Sequence, residues 1–156
     1  MQNIMLSVIA ASLATTAPAA AQPAMQHASG TFDVTITPAA QTGADGITLG
    51  RLVVDKVFAG PLAATSRGEM LTATGTVPDS AAYVLIEQVR GTLGGKAGSF
   101  ALAHIGIMNR GAPDLRVVIV PDSGTGALAG ITGTLVIRIE GGKHFYELDY
   151  RIEAPR

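Results

Sequence analysis

The 156-residue chain carries 11 Lys and Arg against 12 Asp and Glu, for a net charge of −1, so it has no basic footprint for nucleic acid. Aromatic residues make up only 4% and Trp is absent, which argues against a stacking platform for bases or sugars. Cysteine is absent too, and this excludes disulfides, thiolate metal sites and cysteine nucleophiles.

No charged side chain precedes Asp33. Ile4 to Ala14 is an apolar run, and Ala19-Ala20-Ala21 follows it as an A-x-A cleavage pattern. Residues 1–21 therefore read as a signal peptide with Gln22 as the new N-terminus. The leader departs from the usual pattern in lacking Lys or Arg before its apolar run. A disordered Ala-rich tail and a translation start at Met25 are the competing readings. The run is too short to span a membrane stably, so no integral membrane segment is expected in the mature chain. The expected location is periplasmic or secreted; a start at Met25 gives a cytoplasmic protein instead. Residues 22–27 are expected to be disordered, and residues 28–153 to form one β domain large enough to bury a core.

From Ala28 the sequence alternates, with Phe32, Val34 and Ile36 on one face and Thr31, Asp33, Thr35 and Thr37 on the other, as a half-buried strand requires. Pro38 to Gly46 reads as a polar loop. Ile47 to Phe58 is a second strand with apolar residues on both faces, and Ala63 to Thr74 a third, interrupted by Gly68. Tyr83 to Leu93 and Ala97 to Met108 flank Gly94-Gly95, a hairpin signal. A turn centred there puts Tyr83, Leu85, Glu87 and Val89 on one face with Phe100, Leu102 and His104. Glu87 then lies opposite Leu102 and diagonal to His104, within hydrogen-bond reach.

Leu115 to Val120 is a sixth strand. The glycine-rich stretch Val120 to Gly133 must turn sharply, with positive φ expected at Gly124 and Gly126 and a bulge or barrel corner at Gly130 and Gly133. In the last hairpin Leu135, Ile137 and Ile139 meet Leu148, Tyr146 and His144 across Gly141-Gly142, while the other face is mostly charged. Eight strands with no helix after the leader predict an all-β fold, an eight-stranded antiparallel β-barrel. Closure removes exposed edges and leaves an interior for side chains or one small ligand. A β-sandwich is the alternative.

The segments Ala28-Ser-Gly-Thr-Phe32, Leu49-Gly-Arg51, Asp55-Lys56, Ser66-Arg-Gly-Glu-Met-Leu71, Arg90-Gly-Thr-Leu93, Gly98-Ser-Phe100, Val120-Pro-Asp-Ser-Gly-Thr-Gly126 and Lys143-His144 with Tyr146 occur in this order. With them the chain resembles a bacterial domain family of unknown function whose fold is similar to the allene oxide cyclase barrel. The resemblance covers about Ala28 to Ile152 and implies the same eight-stranded barrel. Plant allene oxide cyclases enclose an unstable fatty-acid epoxide in an apolar cavity and steer its ring closure. Only the Ser123 to Gly130 turn is similar to that enzyme family, and no stretch matches its catalytic positions. No catalytic residue is carried across. The family's expected form is plainly intracellular, and the leader departs from it.

Glu87 and His104 are candidates for an acid–base pair in a cavity, with Glu69 as a third member. The bland reading of the pair is an internal hydrogen bond that fixes strand register. His144, inward near a strand end beside Tyr146, either lines a barrel mouth or is structural. No H-x-H or H-x-x-x-H spacing occurs, so no metal and no cofactor is expected. Ser123-Gly-Thr-Gly126 has no helix behind it and no Gly-Lys-Thr/Ser motif, which makes it a turn rather than a phosphate cradle. A serine hydrolase is unsupported, because G-x-S-x-G is missing. Arg51 with Asp55, and Lys56 near Glu69, are expected as surface or rim ion pairs.

Three functions follow as expectations. The first is a module that binds a small apolar or amphipathic molecule, with Glu69, Glu87, His104, His144 and Tyr146 as polar contacts. The second is a cyclase- or isomerase-type enzyme in which Glu87 and His104 exchange a proton with the substrate. The third is a structural barrel with a filled interior, acting through its surface or as a homo-oligomer.

Overall fold

Residues that alternate between apolar and polar bury one face of each strand and leave the other to solvent. In the computed structural model, which describes residues 23–154, every regular element is a strand. The leader and its cleavage site lie outside the described residues. The strands are β1 (Gln26–Ala44), β2 (Ile47–Ala59), β3 (Leu62–Thr74), β4 (Ala81–Leu93), β5 (Lys96–Asn109), β6 (Ala112–Ile119), β7 (Thr125–Gly126), β8 (Ile131–Glu140) and β9 (Lys143–Ile152).

All pairings are antiparallel, in the order β4-β3-β2-β1-β9-β8-β6-β5, and β5 returns to β4 to close the ring. The fold is thus a closed eight-stranded barrel, not a sandwich, with the two-residue β7 added beside β5. Both hairpin registers match the sequence reading: Glu87 faces Leu102, and Leu135 faces Leu148.

The structure differs from expectation at β1, which begins at Gln26 and continues through Pro38 to Ala44 rather than ending in a loop. A register shift between Pro38 and Ala40 accommodates the missing N–H of the proline. Asp45 and Gly46, both at positive φ (53° and 78°), then make the two-residue turn that Asp-Gly favours between paired strands.

The strand turns sort the barrel into two ends. Asp45-Gly46, the 75–80 segment, Arg110-Gly111 and Gly141-Gly142 rim one end; Gly60-Pro61, Gly94-Gly95 and the 120–130 segment close the other. Leu62, Leu93, Phe100, Leu128, Ile131 and Leu148 are all at most 1% exposed and fill the closed half. The glycine-rich stretch is part of that closure. Leu128 plugs the interior, Ser123 Oγ accepts from Ala101 N (3.0 Å), and Thr125 Oγ1 accepts from Ser99 N (3.1 Å). Positive φ falls at Gly126 and Gly130, and at Asp122 instead of Gly124. The β8–β9 register runs unbroken past Gly133, so the expected bulge is absent there; a side chain at Gly133 would collide with Asp149 O.

Tyr146 belongs to this closed half. Its hydroxyl accepts from Leu62 N (3.0 Å) and donates to Ala59 O (3.3 Å), and its ring meets Phe58 edge-on at 5.8 Å. Removing that hydroxyl strands a buried backbone N–H. Tyr146→Phe is expected to lose about 1–3 kcal/mol in denaturant unfolding, with the barrel otherwise intact; an unchanged midpoint would show that the hydroxyl does not join β9 to the β2–β3 turn.

Candidate functional site

The open half holds a cavity of about 830 Å³. Apolar side chains supply most of its wall, among them Phe32, Val34, Leu52, Val54, Met70, Leu85, Ile137 and Ile139. Lys56 and His104 contribute at its floor, and His144, Thr72 and Tyr83 on its sides. Tyr83 can reach inward because its cross-strand partner is Gly106, where any side chain would collide with its ring. Asp79 and Asp114, both exposed, stand at the mouth. There the 75–80 segment is tied to the β5–β6 turn by Gly111 N to Asp79 O (2.9 Å) and Arg110 N to Ser80 Oγ (3.1 Å).

Beneath the floor lies Glu87, 1% exposed. Its Oε1 accepts from Lys56 Nζ and faces His104 Nε2, both at 2.7 Å, and its Oε2 accepts from Ser66 Oγ at 2.6 Å. Gly68, opposite Glu87 on β3, makes the space: a Cβ there would lie 2.5 Å from Glu87 Cβ. Lys56 Nζ also lies 5.3 Å from the centre of the Phe32 ring, which stacks on His144 at 5.0 Å.

Burial alone pushes the Glu87 carboxyl up. The bond from His104, the charge and bond of Lys56, and the Ser66 hydroxyl outweigh it and bring the pKa from its ordinary 4.5 down to about 2. Glu87 is therefore an ionised acceptor, which requires His104 Nε2 to carry the hydrogen between them. That leaves Nδ1 as the ring nitrogen without a protein partner among the described residues. Burial, and then the charge of Glu87, push the Tyr83 hydroxyl up, so it stays a neutral donor.

The structure thus brings together two of the five candidate residues, Glu87 and His104, and places His144 on the cavity wall. It moves two away. Glu69 faces outward from β3, 63% exposed at its side chain, and pairs with Arg51 (3.2 Å); alternation from the buried Ser66 forces this. Tyr146 faces inward but lies in the packed half, absent from the cavity lining. Lys56 is a correction of the opposite kind: expected at the surface near Glu69, it is buried on Glu87. Asp55 pairs with Arg67 (2.9 Å), not with Arg51. Among the described residues no group of three or more His, Cys, Asp or Glu is placed to hold a metal.

Comparison with known proteins agrees with this architecture. A family model described as a protein of unknown function, DUF3224, matches residues 28–150. A crystal structure of a DUF3224 protein with unknown function from Shewanella oneidensis MR-1 is 49% identical, with a TM-score of 0.79, over 84% of this chain and all of that one. No curated protein matches.

The buried cluster has a testable signature. Because folding lowers the pKa of Glu87, its ionised form stabilises the fold above about pH 4.5, and that contribution disappears as pH falls toward 2. Glu87→Gln is expected to cost about 3–5 kcal/mol at neutral pH, by leaving Lys56 buried without a counter-ion, and to flatten the acid limb of the stability curve. Adding Lys56→Met should recover much of that loss. Equal stability of Glu87→Gln and the parent in urea would show that the pair is not buried as described.

Proposed function

We propose that the barrel of this chain, which belongs to the DUF3224 family, is a cup that binds a small, largely apolar molecule. One observation carries the reading: a largely apolar cavity of about 830 Å³ with Lys56 and His104 at its floor. That size and that ratio of apolar wall to few polar groups are those of small-molecule sites. A barrel that served only as a scaffold would gain stability by filling this half as it fills the other. Lys56, His104 and His144, with Tyr83 and Thr72, are the polar contacts in this reading, and Glu87 acts through Lys56 and His104.

One feature favours a second reading, an isomerase- or cyclase-type enzyme. Glu87 holds the Nε2–H form of His104 and so reserves Nδ1 as a base. In that case His104, not Glu87, takes the substrate proton, and the Lys56 ammonium stabilises negative charge developing on a substrate oxygen. His104→Gln would then end turnover of a captured compound while sparing its capture.

Binding of the neutral dye Nile red tests the cup. Met70→Trp, which projects a large ring into the cavity from β3, is expected to weaken dye binding about tenfold or more with little change in melting temperature. Binding that is unchanged by this substitution would contradict an interior site.

A further inference from the structure

The floor is specific about what it can hold. Lys56 and His104 converge on the same oxygen of Glu87, each at 2.7 Å, so an ammonium and an imidazole are neighbours at one spot of the cavity. Lys56 spends one of its three N–H donors on Glu87. In the tautomer that carries its hydrogen on Nε2 toward Glu87, His104 has a lone pair on Nδ1. A ligand group that fits both must accept from an ammonium and donate to an imidazole nitrogen. Around it the wall is aliphatic and aromatic.

We propose, building on the cup reading, that the cavity takes an apolar carboxylic acid with its acid group on Lys56 Nζ and His104 Nδ1. One carboxyl oxygen accepts from Lys56 while the O–H of the other donates to Nδ1. Transfer of that proton breaks the O–H bond, leaves its electron pair on the carboxylate and forms the Nδ1–H bond. The carboxylate then lies between ammonium and imidazolium, two charge-assisted bonds in a water-poor site. An alcohol has one oxygen for both contacts and no acidic proton. An amine meets the Lys56 charge directly. At the mouth Asp79 and Asp114 repel a carboxylate, so the acid group goes down and the apolar body fills the cup above it. Glu87 is the positioning residue: Ser66, Lys56 and His104 hold it, and it fixes the tautomer that the acid requires.

A matched set of naphthylacetic acid, naphthylethanol and naphthylethylamine tests this on the full chain. The protein has no Trp, so naphthalene emission reports binding directly. The acid is expected to bind about tenfold or more tighter than the alcohol, and the amine weakest. The Lys56→Met, Glu87→Gln double variant, which leaves no orphaned charge, should erase the preference for the acid and spare the alcohol. If the alcohol or the amine binds the parent protein as tightly as the acid, the head-group assignment is wrong and the cup reading stands. If none of the three binds, both fall.

Discussion

A single carboxylate inside the barrel decides how the rest is arranged. Glu87 could not stay ionised in that interior without Lys56, His104 and Ser66 around it, because an unpaired buried charge costs far more than any one contact returns. Three strands, β2, β3 and β5, each send a polar side chain to β4 for this purpose, and Gly68 gives up its own side chain to admit the carboxylate. Such a network is a poor source of net stability compared with an apolar core. Its presence at the floor of a cavity supports the binding role proposed above.

That floor divides the barrel. Below it, Phe58 and Tyr146 pack edge to face, Leu62, Leu93 and Leu128 fill the centre, and the glycine-rich segment folds across the end. Above it, the same alternation of inward side chains leaves space: three two-residue turns end the strands at the rim, and the 75–80 segment lines the mouth rather than plugging the interior as Leu128 does below. Packing below and room above come from one pattern read at two heights.

Much of this was legible in the sequence because a strand's side-chain period is two and a hairpin turn fixes its register. Gly94-Gly95 and Gly141-Gly142 placed Glu87 against His104 and His144 on the inward face without error. Lys56 is not legible in this way because β2 carries apolar residues outward as well: Leu49 and Val57 are about half exposed, so neither face stands out and the charge reads as solvated. Glu69 sits one residue from the inward Gly68 and Met70, and a period of two turns such a neighbour away. Tyr146 shows a different limit. Alternation gives the face but not the height, and two residues along β9 separate a cavity wall at His144 from the packed core at Tyr146. The continuation of β1 past Pro38 depended on a bulge, which periodicity does not signal.

Glu87 holds the hydrogen of the His104 ring on Nε2, and Nδ1 has no protein partner among the described residues. Nitrogen NMR of the three histidine rings measures this directly, since protonated and bare ring nitrogens resonate far apart. A protonated Nε2 and a bare Nδ1 are expected for His104, with a loss of that preference in Glu87→Gln. A hydrogen on Nδ1 with Nε2 bare in the parent protein would overturn this role of Glu87.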